Sequence, residues 1–383
     1  MTAPTEPDIY LLWIPGTGAS FAGDPRDWQQ VESGIWDDEK GEWAYEPQYS
    51  MGHALMDQVF ESQEYPDYFA NLKVEPRWIA YDASITIANF YSDPKGESHY
   101  DSREVGRDRV YRELVSLPEG AKAIVGGYSQ GAGAAFEFVN LVAAGHYQDV
   151  ADKVVAGLYI ANPFRPKNYT SWGLENAIAM KNGEDQELEI ELDGFGVADP
   201  DHDGDAKHGA ETHNKIWQIE IINPKDAICN ADPDSYLRVV ADELEYFELE
   251  GNLINWIGQG IDLYDNIKSE ILSEIDNIWD ILAALDRVAR TWEEIEGYAG
   301  IELSLAGFKD KLPTEHVTAY GDKSFRKLAI VDDKTGNLED KTILQAEAPY
   351  IATVLHSIFE YGGKPADTQN LVAAVGIAGS GNP

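Results

Sequence analysis

Ala121-Lys122-Ala123-Ile124-Val125-Gly126-Gly127-Tyr128-Ser129-Gln130-Gly131-Ala132-Gly133-Ala134-Ala135-Phe136-Glu137-Phe138-Val139 decides how this chain folds. Residues 121–126 are a short apolar run of strand character, and the residues after Gly131 carry a helical pattern. Between them stands Gly-x-Ser-x-Gly. A strand that turns through this pentapeptide into a helix is the context a nucleophile elbow requires. The turn is so tight that side chains beside the serine backbone must be absent, hence a glycine two residues before Ser129 and another two after it. The strained turn lifts the hydroxyl clear of the sheet. The new helix aims its N–H groups and positive dipole end at the same spot. A small-residue turn that merely packs a helix on a strand can share the five letters; the two flanks favour the nucleophile.

Working outward, Ile9-Tyr10-Leu11-Leu12-Trp13-Ile14 reads as a buried strand that ends in the loop Pro15-Gly16-Thr17-Gly18. Residues 19–76, rich in Trp, Tyr, Gly and Pro, read as loops with a helix near Ala54–Phe60. Arg77–Tyr81 is a second strand. Ser102–Leu117 is a helix with Ser102 at its N-cap and Pro118 beyond its end. Val154–Ala161 and Ile216–Ile222 follow the elbow strand as a fourth and a fifth. Strands alternating with helices imply a mostly parallel α/β sheet with helices on both faces. Lys181–Asn214 is polar and glycine-bearing and reads as an extended loop.

Residues 235–300 differ in character. Leu253, Ile254, Ile257, Ile261, Tyr264, Ile267, Ile271, Ile275, Ile278, Trp279, Leu282, Leu285 and Val288 recur at helical spacing. The predicted organisation is a sheet core in two parts, 1–233 and 307–383, with a helical insertion over 234–306 and a loose tail from Gly376. The apolar stripe of the insertion either packs on the core or caps the catalytic face and meets a lipid-like substrate.

The 383 residues hold 29 Lys+Arg against 68 Asp+Glu, a formal net charge of −39. Such an excess repels phosphate backbones and anionic headgroups, so no nucleic-acid partner is expected. The single cysteine, Cys229, permits no intramolecular disulfide. Met1–Asp8 carries no basic segment and Leu11–Ile14 is too short for a secretion signal, so no signal peptide is expected.

A serine nucleophile needs a base, and the base needs an orienting acid. In sheet hydrolases with this elbow the chain order is Ser, then Asp or Glu, then His. Asp226, in Asn223-Pro224-Lys225-Asp226, lies at the carboxyl end of the fifth strand, where ligand-facing residues of such sheets gather. Asp232 and Asp234 are rivals further from the strand end. Only His316 and His356 follow Asp226. His356 sits in an apolar helical run, whereas His316 lies in the irregular segment 312–321, from which an imidazole can reach the serine. For the oxyanion, one donor is the backbone N–H of Gln130; the loop after the first strand offers a second at Thr17, whose hydroxyl can add to its N–H. Asp199-Pro200-Asp201-His202-Asp203-Gly204-Asp205 matches the first half of a calcium loop, but Ala210 stands where the bidentate Glu belongs. A solvated acidic loop over 193–213 is the plainer reading. His202, His208 and His213 lack zinc spacing; no metal and no cofactor is expected.

These residues resemble the lysin B proteins of actinobacteriophages, cutinase-like mycolylarabinogalactan esterases of the α/β-hydrolase superfamily. The resemblance rests on the 127–131 elbow, Pro15-Gly16-Thr17, Ala161-Asn162-Pro163-Phe164-Arg165-Pro166, Asn223-Pro224-Lys225-Asp226 and the helical insertion between acid and histidine. Cutinases share the elbow, but the fungal type is secreted and disulfide-bonded, which one cysteine without a signal contradicts. The resemblance implies a serine esterase, with Ser129, Asp226 and His316 catalytic, that cleaves the ester between mycolic acids and cell-wall arabinogalactan. It also implies a protein held in the host cytoplasm until lysis and then acting on the envelope. The large acidic loop and N-terminal stretch depart from that pattern. A generic cutinase- or lipase-like esterase, or a non-catalytic envelope-binding or virion protein on a hydrolase scaffold, are the alternative readings.

Overall fold

The computed structural model describes residues 7–17, 51–62, 72–81, 98–166, 194–198, 215–223, 226–232 and 341–359, with Phe69, Ala83, Tyr236, Leu237, Ala241, Arg287, Arg290, His316 and Tyr320. The backbone of 19–21, 31–37, 42–47, 179–182, 184–188, 301–304, 307–310, 328–331, 338–340 and 360–361 is described too. In chain order the strands are β1 (Ile9–Ile14), β2 (Ala19–Phe21), β3 (Val31–Asp37), β4 (Glu42–Pro47), β5 (Val74–Trp78), β6 (Ala123–Tyr128) and β7 (Val154–Ile160). Next come β8 (Ala179–Asn182), β9 (Glu184–Leu188), β10 (Trp217–Ile221), β11 (Ile301–Ser304), β12 (Gly307–Asp310), β13 (Leu328–Val331) and β14 (Leu338–Lys341). The helices are α1 (Met51–Leu55, continued by a π-turn to Phe60), α2 (His99–Ser116), α3 (Gln130–Ala144), α4 (Ala227–Asn230) and α5 (Ile343–Tyr361).

The main sheet runs β10-β7-β6-β1-β5, and every neighbouring pair is parallel. A parallel strand covered on both faces has no solvent side, which is why all six residues of β1 are apolar and buried. Alternate side chains then feed two cores. Ile9, Leu11 and Trp13 pack with α1, its π-turn and α5. Tyr10, Leu12 and Ile14 pack with α2 and α3. This is the expected parallel α/β sheet flanked by helices, with the elbow strand β6 between β1 and β7.

Several boundaries move from their sequence expectation. The N-cap of α2 is Ser98, not Ser102. Ser98 is extended (φ −63°, ψ 157°) and its Oγ accepts from the Asp101 N–H at 3.0 Å, while Ser102 is buried inside the helix. The reciprocal Ser98 Oγ–Asp101 Oδ2 bond at 2.8 Å makes a Ser-x-x-Asp capping pair. The second strand begins three residues before Arg77 and ends at Trp78. Residues 19–76 are not loops around one helix: β2, β3 and β4 form an antiparallel meander in which Trp36 pairs with Trp43 and Gly34 with Tyr45. Aromatic residues at cross-strand positions suit a pleated surface despite the glycines and prolines between them. Nor is 181–214 wholly a loop. β8 and β9 join β13 and β14 in a four-stranded antiparallel sheet of order β14-β13-β8-β9.

Within the expected insertion, Leu237, Ala241, Arg287 and Arg290 are helical. Arg290 pairs with Asp232 at 2.9 Å, and the Arg287 guanidinium lies 4.0 Å over the Tyr236 ring. The apolar stripe from Leu253 to Val288 lies outside the described residues. The hairpin β11–β12 straddles the expected boundary at 306/307.

Candidate active site

Steric crowding shapes the elbow. A Cβ on Gly127 would stand 2.3 Å from the Gly131 carbonyl oxygen, and one on Gly131 would stand 2.2 Å from the Ile14 oxygen and 2.3 Å from the Pro15 oxygen. Both glycines are therefore required by close backbone approach. Ser129 between them takes φ 54°, ψ −123°, a region that costs an L-residue about 1–3 kcal/mol and that the surrounding structure must enforce. It is enforced by two backbone bonds: Ser129 N–H donates to the Ile160 oxygen at 2.9 Å, and Gly133 N–H donates to the Ser129 oxygen at 3.0 Å.

Ser129, Asp226 and His316, spread over 187 positions of chain, meet in one buried row. His316 Nε2 lies 2.9 Å from Ser129 Oγ, and His316 Nδ1 lies 2.8 Å from Asp226 Oδ2. An ionised carboxylate only accepts, so the Nδ1 position carries the ring proton and Nε2 is left to accept from the serine hydroxyl. Asp226 and His316 are almost wholly buried, and Ser129 keeps 9% of its surface exposed.

Each partner is held by its neighbours. Asp226 caps α4, its Oδ1 accepting from the Ile228 N–H at 3.0 Å, so one carboxylate oxygen serves the helix and the other faces the histidine. Arg165 braces this loop from behind: its Nε donates to the Cys229 oxygen at 2.5 Å, and its Nη2 donates to Asn230 Oδ1 at 2.6 Å and to the Gly194 oxygen. His316 is seated on the elbow itself. The Tyr128 ring stacks on the imidazole at 5.0 Å and 23°, and the Tyr128 hydroxyl donates to the His316 carbonyl at 2.7 Å. No local pattern in the sequence marks Tyr128 or Arg165 for these roles, beyond the place of Tyr128 just before the nucleophile.

Thr17 and Gln130 also come together: Thr17 Oγ1 donates to Gln130 Oε1 at 2.9 Å. That bond engages the Thr17 hydroxyl, so the expectation that it adds to the oxyanion donors is corrected. Thr17 is left to offer its backbone N–H. The loop is anchored by the buried Tyr81, whose hydroxyl donates to the Pro15 oxygen at 2.8 Å. Of the rivals, Asp232 is engaged by Arg290, and Asp234 lies outside the described residues. His356 lies on α5, and the imidazole in the row is that of His316. The calcium-like loop 199–205 lies outside the described residues. Among the described residues no group of His, Cys, Asp and Glu has the makings of a metal site, and no helix is long and apolar enough to cross a membrane.

Next to the acid loop lies a second buried carboxyl. Glu220 Oε1 accepts from Asn162 Nδ2 at 2.8 Å, and Oε2 has no hydrogen-bond partner among the described residues. Burial pushes its pKa up to about 8, against the opposing pull of the Asn162 bond and the Arg165 charge. Between the ordinary carboxylate range and about pH 8 the folded chain keeps a proton that the unfolded chain has released. This contribution is complete at low pH and is lost as pH rises, by at most about 1.4 kcal/mol per pH unit. Glu220→Gln is therefore expected to unfold at a higher temperature than wild type at pH 8, with the difference shrinking toward pH 5. Parallel thermal melts across that range test it, because the difference isolates Glu220 from the other acidic residues. A constant gap between the two curves would contradict it.

No family model and no curated protein sequence matches the chain. Among solved structures, it is similar to lysin B from Mycobacteriophage D29, with 13% identity and TM-score 0.37 over 75% of this chain and 90% of that one. It is also similar to a cutinase-like protein from Cryptococcus sp., with 13% identity and TM-score 0.32 over 69% of this chain and 93% of that one. An acetyl xylan esterase follows, with 12% identity and TM-score 0.29 over 69% and 99%. Overlaps of this order leave the functional reading to the geometry of the site itself.

Proposed function

We propose that the chain is a serine esterase with Ser129 as nucleophile, His316 as general base and Asp226 as the acid that orients it. The single observation that carries this reading is the hydrogen-bonded row Ser129 Oγ–His316–Asp226 Oδ2 at the elbow. Ser129 Oγ attacks an ester carbonyl while its proton passes to His316 Nε2. Asp226 holds the Nδ1 proton and stabilises the imidazolium. The developing oxyanion is held by the N–H of Gln130, at the head of α3, and by the N–H of Thr17. A donor of this kind is worth about 3 kcal/mol of transition-state stabilisation. His316 then returns the proton to the leaving alcohol, and water releases the acid from Ser129 by the same steps in reverse.

For substrate we propose the ester between mycolic acids and arabinogalactan of a host envelope, reached when a phage lyses its host from within. The sequence resemblance at the elbow, the Pro15-Gly16-Thr17 loop and the 161–166 and 223–226 segments supports this choice. The experiment pairs two readouts on the full chain. A fluorophosphonate probe is expected to add covalently to Ser129, and purified mycolylarabinogalactan is expected to release free mycolic acid. Labelling without release favours an esterase for another lipid ester. No adduct at Ser129 favours a binding protein on a hydrolase scaffold.

A further inference from the structure

The carboxylate oxygen that faces His316 has a second hydrogen-bond donor. Tyr320 is fully buried, and its hydroxyl donates to Asp226 Oδ2 at 2.7 Å, against 2.8 Å for the His316 Nδ1 contact to the same atom. The phenol oxygen is itself held in place: it accepts from the Asn223 N–H at 3.1 Å and lies 3.3 Å from Cys229 Sγ. With its only proton committed to the carboxylate, the phenol can only accept from the thiol. Tyr320 thus stands behind the acid as Asp226 stands behind the base, on the same segment that brings His316.

We propose that Tyr320 is a positioning residue that sets how much of the Asp226 charge reaches His316; the inference rests on the esterase reading above. Two donors on one oxygen share its negative charge. The phenol O–H neutralises part of the charge that would otherwise stabilise the imidazolium. It therefore limits how much of that charge the imidazole meets and fixes the rotation of the carboxylate. Burial, and then the Asp226 charge, raise the phenol pKa well above its ordinary value, so Tyr320 stays a donor throughout the working pH range. Among the described residues, the titratable groups that meet the row are Tyr320, Cys229 and Tyr128, with the Arg165 guanidinium interacting with Cys229 and Tyr320 from beyond. Burial holds the Cys229 thiol well above its usual range, so it stays neutral and adds no competing charge.

The test is the pH dependence of 4-nitrophenyl butyrate hydrolysis by the full chain. Tyr320→Phe is expected to move the acid limb of kcat/KM up by about 0.5 pH unit, because a nearby charge less neutralised favours the protonated ring. Plateau kcat is expected to fall about tenfold with KM unchanged, since Tyr320 touches no substrate. Replacing Tyr320 by 3-fluorotyrosine, a stronger donor of nearly the same shape, is expected to move the acid limb the other way. It carries the test if the phenylalanine variant does not fold. Acid limbs that superimpose on wild type in both replacements overturn the inference even if kcat drops, because a merely structural role predicts that result. A wild type without esterase activity overturns the esterase reading and this inference together.

Discussion

Ser129→Ala is expected to lower kcat for ester hydrolysis by about a million-fold while leaving the melting temperature within a degree or two of wild type. The two halves of this expectation have separate causes. In the proposed mechanism the Ser129 hydroxyl oxygen alone forms the acyl bond, and neither His316 nor water held by it replaces an oxygen fixed 2.9 Å from the imidazole. The backbone strain at φ 54° belongs to the elbow, not to the hydroxyl, and alanine meets it with the same Cβ. The bonds that enforce the turn, to the Ile160 oxygen and from the Gly133 N–H, are made by main-chain atoms that the substitution keeps. Steady-state kinetics beside a calorimetric melt checks both halves. Substantial hydrolysis by a correctly folded Ser129→Ala protein would remove Ser129 from the chemistry.

Gly131→Ala is expected to do the opposite, destabilising the fold by about 3–5 kcal/mol. The added methyl would lie 2.2 Å from the Ile14 oxygen, 2.3 Å from the Pro15 oxygen and 2.6 Å from the Ile14 carbon, all of them main chain. No rotamer relieves such a clash. Either α3 lifts off the end of β1 or β1 shifts in a sheet where it is paired on both edges. Any lift also separates Gln130 from Thr17, so the molecules that remain folded are expected to lose activity as well. Gly106→Ala, inside α2, is the control. Its nearest neighbours would be at 3.5–3.7 Å, ordinary contact, and helix propensity favours alanine by about 1 kcal/mol. Denaturant melts of the two variants should move in opposite directions. Equal midpoints would show that the close approach of helix to strand is not what requires a glycine at 131.

The parts of the site that the sequence disclosed are those governed by local rules. The elbow was readable because strand, tight turn and helix are consecutive and each constrains the next. Asp226 was readable because strand ends in a parallel sheet gather ligand-facing residues, and His316 because chain order left only two histidines. Tyr320, Arg165 and Tyr81 act across 29 to 94 positions of chain, and no local pattern marks a tyrosine that will donate to a carboxylate. The strands that were missed share another cause. Glu184-Asp185-Gln186-Glu187-Leu188 is acidic enough to pass for a loop, yet it pairs with β8 because main-chain hydrogen bonds do not consult composition. The cap of α2 lies four residues before the expected Ser102: Ser98 and Asp101 stand at capping-box spacing, but Ser102 is a serine of the same capping type and only the backbone angles separate the two.

In the proposed mechanism, the distance along the polypeptide between hydroxyl and base decides when during synthesis the site is complete. The strands of the main sheet, the elbow and the acid loop all precede residue 233, and a ribosome that has delivered them has made an alcohol without the imidazole proposed to deprotonate it. The imidazole arrives on a later segment, carried in with the phenol that steadies its acid and seated by the aromatic ring beside the nucleophile. On the esterase reading, a chain cut short before His316, or one whose later segment has not docked, is chemically silent. On that reading, reactivity arrives late in synthesis and assembly rather than growing with them.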